Sequence, residues 1–344
     1  MASTRTQNTL IGMDLENLIE ILRNFETSLF RAKQIFHWIY KQHIQSLDEM
    51  INIPLPLREK FKNSFVLHPL EKVLVSGESD AVSKKYLFQL QTGEQIESVL
   101  IRENGRVTIC VSTQVGCALD CAFCATAKMG FKKNLTEGEI VDQVLQIQQD
   151  IDERITNIVF MGMGEPFLNY DRVMKAASLM NDQQGINIGS RKLTISTSGI
   201  IPKIKQFADE RQRYNLAISL NASSKEQRLE IMPMEKNHPL EDLMEAAKYY
   251  YERSRKHLTF EYVLLDRFND TSGDAKRLLR LIGGLPCKVN VIPYNDIGGK
   301  YQRPSDQRIK SFLLELRDAP FTVTVRWSKG TDIDAGCGQL ATKA

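Results

Sequence analysis

From about residue 97 onward, short apolar segments alternate with helical segments, and this alternation constrains the fold more than any other feature of the chain. The strand-like segments are VTICVS, ITNIVFMGM, KLTISTS, NLAISLNA, FEYVLL, KVNVIPYN and TVTVRW. Helical segments such as LTEGEIVDQVLQIQQ and PLEDLMEAAKYYYER lie between most of them. Strands that alternate with helices form a parallel sheet with helical crossovers. Six or seven such units predict an α/β fold built as a complete or partial barrel.

The N-terminal part of the chain has a different, mainly helical pattern. Apolar residues recur there at helical spacing, at Leu15, Leu18, Ile19 and Leu22. Asp14 is a candidate N-cap of that helix, residues 31–42 predict a second helix, and Ser46 is a possible cap of a third helix in SLDEM. The prolines of IPLPL break the pattern. KVLVS and KKYLFQL then predict two short strands around the turn GESDA.

Length and composition describe an ordinary globular protein. At 344 residues the chain has room for one large and one smaller domain. Its net charge of +3 neither indicates nor excludes a nucleic-acid partner. No apolar run approaches the length of a membrane span, and MASTRTQNTL lacks the apolar region of a signal peptide. We therefore expect a cytoplasmic protein with reduced thiols, in which clustered cysteines indicate metal binding or catalysis.

Three cysteines lie within eight residues, in the stretch CALDCAFC. Cys117, Cys121 and Cys124 have the spacing C-x3-C-x2-C. A structural zinc site needs a fourth ligand, and no histidine lies between His68 and His238. Three thiolates can instead hold three irons of a [4Fe–4S] cluster and leave the fourth iron open. The spacing favours an iron–sulfur cluster, with zinc as the alternative.

Polar and glycine-rich segments follow several of the predicted strands. GMGEP follows NIVF, STSG follows KLTI, SLNA follows NLAI, and YND follows VNVIP. Each segment alone is typical of a turn or a helix cap. In parallel α/β folds, however, functional sites gather at the carboxyl ends of the strands. Together with the cysteine loop after VTICVS, these segments predict one site at that edge of the sheet.

The cysteine loop resembles the CxxxCxxC loop of the radical S-adenosylmethionine (SAM) superfamily, and Phe123 matches the aromatic residue before its last cysteine. The resemblance implies a partial (β/α)6 barrel of the TIM type. It also implies a [4Fe–4S] cluster on the three cysteines, with SAM chelating the open iron through its amino and carboxylate groups. The residues that the resemblance assigns to SAM binding are Gly164, Glu165, Ser196, Ser219, Leu220, Asn221 and Asn295.

Three residues outside the cysteine loop narrow the resemblance. Cys337 lies in GTDIDAGCGQL, Cys110 lies seven residues before Cys117, and Glu97 precedes SVLI. With CATAKMGFKKNLT and MGMGEPFLN, they resemble the dual-specificity adenine C2 methyltransferases of 23S rRNA and tRNA, the ribosomal RNA large subunit methyltransferase N family. Gly336 is a departure, because alanine is common there.

This resemblance also implies how the chain divides. Residues 1–96 would form a helical accessory region that binds RNA and carries short strands. Residues 97–325 would form the core barrel, and residues 326–344 a C-terminal loop that carries the methyl-accepting Cys337.

The same resemblance implies a methyl transfer in two stages, because carbon 2 of adenine is not a nucleophile. One SAM methylates Cys337, and a second SAM is cleaved to a 5′-deoxyadenosyl radical that activates the S-methyl group for addition to adenine. Cys110 would release the product by forming a disulfide with Cys337, and Glu97 would accept the ring proton. From the residues alone, Cys110 is typical of a buried core thiol and Glu97 of a solvated strand-edge acid. Cys287 matches no motif and is interpreted as structural.

The implied partners are 23S rRNA, tRNA and a reducing electron donor such as flavodoxin or ferredoxin, with no membrane; we expect a monomer. The target adenine must leave its base stack, which costs less in a structured RNA loop. The candidate phosphate contacts are Lys128, Lys132, Lys133, Arg191, Lys192, Arg31, Lys33 and Lys41.

Two alternatives remain open from the sequence. One is an adenine C8 methyltransferase of the same branch, which confers antibiotic resistance and shares the cysteines; the proline of MGMGEP and the valine of STQVGC favour the C2 enzyme. The other is a non-catalytic RNA-binding protein stabilised by zinc or an iron–sulfur cluster. The histidines show no ligand pairing, and none is assigned to the site.

Overall fold

A ten-stranded sheet organises the computed structural model, which describes residues 8–25 and 28–342. The first seven residues, from which most of the signal-peptide prediction came, lie outside the described residues. The strands are β1 Leu70–Ser76, β2 Ser83–Leu90, β3 Gln95–Glu103, β4 Arg106–Cys110, β5 Gln114–Val115, β6 Lys133–Asn134, β7 Asn157–Phe160, β8 Leu193–Thr197, β9 Asn215–Ser219, β10 Leu258–Leu264, β11 Cys287–Pro293 and β12 Thr322–Val325. The helices are α1 Leu15–Arg23, α2 Leu29–Tyr40, α3 Leu55–Ser64, α4 Ala125–Lys128, α5 Glu137–Gln149, α6 Tyr170–Asn181, α7 Ile201–Asp209, α8 Lys225–Ile231, α9 Leu240–Ser254, α10 Ser272–Ile282 and α11 Asp306–Glu315.

Most of the sheet is parallel, with its strands in chain order. β4, β7, β8, β9, β10, β11 and β12 are successive parallel neighbours, and each corresponds to one predicted strand segment. Helices connect consecutive strands, as crossovers between parallel strands require. Within the described residues, β1 and β12 are the edges of the sheet, so the barrel is partial. The predicted α/β class is confirmed.

The N-terminal strands extend the sheet on its β4 side. β1, β2 and β3 pair antiparallel with one another, and β3 pairs antiparallel with β4. The two predicted strands around GESDA are therefore part of the central sheet. The predicted division between residues 96 and 97 falls inside β3, so the sheet continues across it.

The N-terminal helices follow the sequence pattern with one exception. The side chain of Asp14 caps α1, where its Oδ1 accepts from the amide of Asn17 at 2.8 Å. SLDEM forms only a short 3-10 turn capped by Ser46, so the expectation of a third helix there was wrong. The helix instead begins inside IPLPL, at Leu55. Pro56 lies in its first turn, where the N–H that proline lacks has no helical acceptor.

The N-terminal region packs against α5, whose residues 138–147 are all buried. The hydroxyl of Tyr40 accepts from the amide of Gly12 at 2.9 Å, which fixes the chain entry beside that helix. Gln149 of α5 donates to the carbonyl of Ile44 at 3.1 Å. α5 is therefore covered by the sheet on one side and by the N-terminal helices on the other. Among the described helices, none is long and apolar enough to cross a bilayer.

Candidate active site

One cavity opens at the carboxyl ends of the parallel strands. Residues from β3, β4, β7, β8, β9, β10 and β11, with the segment after β12, contribute to its wall. Strands so far apart in one sheet can face a common cavity only if the sheet is strongly curved. All the residues predicted for the site line this cavity except Glu97 and Leu220.

The cysteine loop lies at one end of this cavity and is held by its backbone. Gly116 has a φ of +70°, and a β-carbon there would lie 1.7 Å from the carbonyl oxygen of Gly130. The amide of Cys117 donates to that same oxygen at 3.2 Å, and the amide of Cys124 donates to the carbonyl of Cys121 at 3.1 Å. The close approach explains why glycine is required at this position.

The donor set fits a cluster better than a single ion. Cys117, Cys121 and Cys124 all line the cavity. Burial raises the pKa of Cys117 to about 12 and that of Cys121 well above its usual value, so thiolates at these positions would need the positive charge of a bound metal. Within the described ranges, no three His, Cys, Asp or Glu side chains converge on one ion position. A zinc site needs such convergence, whereas a [4Fe–4S] cluster spreads its thiolates over separate irons.

The GMGEP segment brings a buried carboxylate to the cavity. Glu165 is 2 % exposed. Its Oε1 accepts from the amide of Phe167 at 3.0 Å and its Oε2 from the amide of Ser198 at 2.7 Å. Burial raises the pKa of Glu165, and these bonds oppose the rise. Gly164 has a φ of +97°, and a β-carbon there would meet the side chain of Gln114 at 2.4 Å. A bound ammonium can still share the carboxylate, because each oxygen has two lone pairs.

Of the residues predicted to contact SAM at the ends of β8 and β9, some line the cavity and one lies in the core. Ser196, Ser219 and Asn221 line the cavity. Asn221 is 1 % exposed and has a φ of +59°, and its Oδ1 accepts from the amide of Val263 at 3.0 Å. Leu220 is fully buried, and its amide donates to the carbonyl of Glu261 at 2.9 Å. The side chain of Leu220 is therefore a core residue.

Residues 326–342, here called the C-terminal segment, cross the cavity and bring Cys337 to it. Thr126 Oγ1 donates to the carbonyl of Leu340 at 2.6 Å, and the amide of Ala125 donates to the carbonyl of Gly338 at 2.7 Å. Asn295 Nδ2 donates to the carbonyl of Cys337 at 2.9 Å. These bonds dock the segment directly beside the cysteine loop.

The two cysteines outside the loop share this cavity. Cys337 is exposed, and its exposed surface faces the cavity. Cys110 is buried at the end of β4. Desolvation by the surrounding cavity wall raises the pKa of Cys337 to about 11, and burial raises that of Cys110 to about 12. The guanidinium of Arg326 opposes both rises. Cys287 lies in the core, as expected for a structural cysteine.

Glu97 lies behind the C-terminal segment and outside the cavity wall. It is 5 % exposed, its Oε2 accepts from the amide of Ala341 at 3.0 Å, and its Oε1 lies 3.1 Å from Nζ of Lys85. Burial raises the pKa of Glu97, and the Lys85 ammonium opposes the rise. On residues alone, this carboxylate was expected to be a solvated strand-edge acid, and the structure places it in a buried position.

The lysines beside the cysteine loop make different contacts. Lys128 Nζ donates to the carbonyls of Ile297 and Gly298, at 3.1 Å and 2.6 Å, and so holds the loop after β11. Lys133 pairs with Glu139 at 3.3 Å. Lys132 is exposed and makes no ion pair with a described residue. Of the three, Lys132 is therefore the most available for a phosphate.

The other candidate phosphate contacts lie away from the cavity. Arg191 and Lys192 precede β8, so they lie at the amino edge of the sheet, opposite the cavity. On α2, Arg31 Nη1 donates to Gln34 Oε1 at 2.6 Å and to the carbonyl of Asn52 at 2.7 Å. No contact between these residues and the cavity is present in the described part of the chain.

Sequence reasoning missed two charged cavity residues, Arg326 and Glu261. Arg326 directly follows β12, so the rule that sites lie at strand ends could have identified it. Glu261 is a lone acid within the apolar segment FEYVLL, and it is 5 % exposed. A single acid in a strand buried on both faces is a recognisable signal, because an uncompensated carboxylate there is costly.

Comparison with known proteins gives matches over nearly the whole chain. The family model for the radical SAM superfamily matches residues 111–281, and the model described as the ribosomal RNA large subunit methyltransferase N-terminal domain matches residues 8–67. A protein of Dictyoglomus turgidum named "Probable dual-specificity RNA methyltransferase RlmN" is 44% identical, with 97% of this chain and 96% of that protein covered. A protein of Staphylococcus carnosus with the same name is 45% identical, with 98% and 93% covered.

A solved structure matches equally broadly. A crystal structure described as a radical SAM methyltransferase from Sphaerobacter thermophilus superposes with a TM-score of 0.95 at 40% sequence identity. The match covers 98% of this chain and 100% of that one. The N-terminal helices, the curved sheet and the C-terminal segment therefore form one arrangement that both proteins share.

Proposed function

Because the chain belongs to the RlmN family of radical SAM RNA methyltransferases, we propose that it methylates carbon 2 of adenosine in both 23S rRNA and tRNA. Membership of this family gives the enzyme a [4Fe–4S] cluster, SAM and an RNA substrate. When bound, the cluster and SAM supply a 5′-deoxyadenosyl radical by one-electron reduction. The chain's own residues must bind these groups, carry the methyl group and release the product.

One observation carries the proposal: Cys337 and the three loop cysteines line the same cavity. Methylation through a protein thiol needs a cysteine that reaches both SAM and the RNA base, and Cys337 is exposed on the wall beside the cysteine loop. Cys117, Cys121 and Cys124 are assigned as the cluster ligands. The SAM contacts proposed at the strand ends are Gly164, Glu165, Ser196, Ser219, Leu220, Asn221 and Asn295. Of these, Leu220 can contribute only through its backbone.

The proposed roles of the remaining residues follow from the two-stage scheme. Cys337 accepts a methyl group from one SAM, so each turnover uses two SAM. Cys110 then attacks the sulfur of Cys337 to release the methylated RNA. Glu97 accepts the proton from carbon 2, for which its raised pKa is suitable. Since Glu97 lies outside the cavity wall and its carboxylate holds the amide of Ala341, this role requires that the C-terminal segment shift.

The proposed targets are an adenosine of the peptidyl-transferase centre in 23S rRNA and the adenosine 3′ of the anticodon in tRNA. The name of the relatives, a dual-specificity RNA methyltransferase, supports two classes of RNA. We propose further that the enzyme is a cytoplasmic monomer, that flavodoxin or ferredoxin reduces it, and that residues 1–96 contribute to RNA binding.

Nucleoside mass spectrometry of a deletion strain tests the proposal. We expect 2-methyladenosine to disappear from both 23S rRNA and tRNA, and to return with the wild-type gene but not with Cys337→Ala. Loss of 8-methyladenosine instead would support the C8 alternative and overturn the proposed position.

Anaerobically purified protein should contain iron; a colourless zinc protein that forms no 5′-deoxyadenosine would support the non-catalytic alternative.

A further inference from the structure

Arg326 places a positive charge inside the cavity. It follows β12 directly, and its amide donates to the carbonyl of Val291 at 2.9 Å, so pairing with β11 continues to this residue. Its side chain lines the cavity, where Nη1 donates to the sulfur of Met161 at 3.5 Å. The backbone of Arg326 is therefore fixed at the strand end, and its side chain lines the same cavity as Cys110 and Cys337.

In the part of the chain that the structure describes, no carboxylate lies at ion-pair distance from this guanidinium. Across residues 8–25 and 28–342, Arg326 takes part in no ion pair. Arg228, whose side chain is fully buried, is bonded to Glu235 at 2.6 Å. The charge of Arg228 is thus compensated by a carboxylate, as buried charges usually are. The charge of Arg326 therefore remains available to a group in the cavity.

Four titratable groups on different elements act electrostatically on Arg326. Glu261 lies on β10, Glu103 on β3, Cys110 on β4 and Cys337 in the C-terminal segment. Burial lowers the pKa of Arg326, but these four groups together raise it, so the guanidinium stays charged. Glu261 is buried, and its Oε2 has no hydrogen-bond partner in the described part of the protein. Two of the four neighbours are thus the cysteines to which the proposed function gives chemical roles.

We propose that Arg326 stabilises the negative charge on the sulfur of Cys337 when this cysteine accepts a methyl group. The inference rests on the proposed function. The thiol proton of Cys337 first passes to solvent, to which this cysteine is exposed, because the thiolate is the nucleophile. A bond then forms between the sulfur of Cys337 and the methyl carbon of SAM, and the bond from that carbon to the sulfonium breaks. The electron pair of the broken bond stays on the sulfur of S-adenosylhomocysteine, so the step needs no oxidant or reductant.

Electrostatics make Arg326 the principal favourable influence on this thiolate. Among the charged neighbours of Cys337, Arg326 lowers its pKa, whereas Glu261 and Cys124 raise it. A guanidinium keeps its charge over the whole physiological range and stays weakly hydrated, so it suits a confined site. Arg326 acts through the sulfur of Cys337, and we class it as a positioning residue.

The test compares Arg326→Gln with Arg326→Lys, with Arg303→Gln as the matched control. Arg303 is an exposed arginine on the loop after β11, and its guanidinium lies over the ring of Trp327 at 5.4 Å. Each variant is reconstituted with its cluster under anaerobic conditions from protein whose Cys337 starts unmethylated. Methyl transfer from labelled SAM to Cys337 is followed by peptide mass spectrometry in a single turnover. Alkylation of Cys337 by iodoacetamide is followed against pH in the absence of SAM.

We expect Arg326→Gln to slow both reactions of Cys337 by about tenfold, the effect of one pKa unit, and to shift the alkylation profile to higher pH. Arg326→Lys should retain most of both rates, and Arg303→Gln should match the wild type. Wild-type rates and an unchanged pH profile in Arg326→Gln would overturn the proposal. If Arg326→Lys slowed methylation and alkylation of Cys337 as much as Arg326→Gln, the proposal would also be overturned. A positive charge at this position would then not be enough to stabilise the thiolate.

The failure of the proposed function can be told apart from the failure of this inference. If wild-type Cys337 never becomes methylated, the proposed function is wrong, whatever the variants do. The alkylation profile uses no SAM, so it still reports whether Arg326 stabilises the thiolate. Iron content and visible absorption of each variant show that the cluster is intact.

Discussion

The side-chain amide of Asn295 donates to the backbone carbonyl of Cys337 at 2.9 Å. The same nitrogen donates to Ser328 Oγ at 2.7 Å. Asn295 was predicted from the sequence as a SAM contact, and it also ties the end of β11 to the C-terminal segment. Through this bond, the residue that would orient SAM also orients the thiol that accepts its methyl group.

We therefore predict that Asn295→Ala slows methylation of Cys337 by about tenfold, because a misplaced nucleophile loses the benefit of fixed orientation. Single-turnover transfer from labelled SAM measures the rate, and the SAM dissociation constant is measured alongside it. Ser328→Ala is the control, since it leaves the bond to Cys337 in place. If the Asn295→Ala enzyme bound SAM weakly but transferred the methyl group at the normal rate once saturated with SAM, Asn295 would act only in SAM binding.

A second prediction concerns the cysteine proposed to release the product. Cys110→Ala removes the thiol that would attack Cys337, so RNA should remain covalently linked to Cys337. We expect a crosslinked species on denaturing gels that disappears in the double variant with Cys337→Ala. Cys287→Ala is the matched control, because Cys287 is also buried in a strand but lies outside the cavity. Normal turnover by Cys110→Ala, with no adduct, would refute its role.

A third prediction tests the backbone of the cysteine loop. In Gly116→Ala the new β-carbon would lie 1.7 Å from the carbonyl oxygen of Gly130, so the loop must move. We expect loss of most of the iron and of the visible absorption of the cluster. Gly130→Ala is a close control, because Gly130 also has a positive φ, of +65°, but a β-carbon there meets nothing within 4 Å. Equal iron contents in the two variants would contradict the argument.

The buried ion pair below the cavity gives a fourth prediction. Arg228 and Glu235 are both fully buried, and Nη1 of Arg228 lies 2.6 Å from Oε2 of Glu235. Arg228→Met leaves the carboxylate unpaired and should lower the free energy of unfolding by about 3–5 kcal/mol. The double variant with Glu235→Gln should recover a large part of the loss, as measured by denaturant unfolding. A double variant no more stable than the single one would show that packing, not charge, causes the loss.

The sequence predicted the parallel strands because each is a short apolar segment with a polar end. That pattern also predicted the edge of the sheet at which Ser196, Ser219 and Asn221 lie, since parallel strands end on one side. The cysteine loop was recognisable because three thiols at close spacing are rare outside metal sites. The local sequence pattern was therefore sufficient to predict features whose residues are close together in the sequence.

Contacts between segments that are far apart in the sequence could not be predicted from the local sequence pattern. The residues around Glu97 predicted a solvated acid. In the structure, the chain passes over Glu97 again at Ala341, whose amide donates to this carboxylate. Lys128 was predicted to contact phosphate, but its ammonium donates to the carbonyls of Ile297 and Gly298. Both depend on where the C-terminal half of the chain passes, which local propensity does not encode. The strand pairing through which β3 joins the N-terminal strands to the barrel was not predicted either.

The last prediction concerns the docking of the N-terminal region on α5. Nδ1 of His68 lies 2.6 Å from Oδ1 of Asp142, and Nε2 of His68 lies 3.1 Å from the carbonyl oxygen of Ile44. Both ring nitrogens face acceptors, and only the imidazolium can donate to both. Burial lowers the pKa of His68, but the hydrogen bond and charge of Asp142 outweigh it, so the pKa is raised overall.

A histidine whose pKa is raised in the folded protein stabilises the fold fully below its unfolded pKa of about 6.5, and this contribution is lost as the pH rises through the folded value. His68→Gln should therefore lower the thermal midpoint of the holoenzyme by about 3 °C near pH 6 and by less as the pH rises to about 9. Scanning fluorimetry under anaerobic conditions measures the difference. His257→Gln, at an exposed histidine without an ion pair in the described residues, should show no such trend. A difference between wild type and His68→Gln that is constant with pH would mean that a neutral His68 makes the contact.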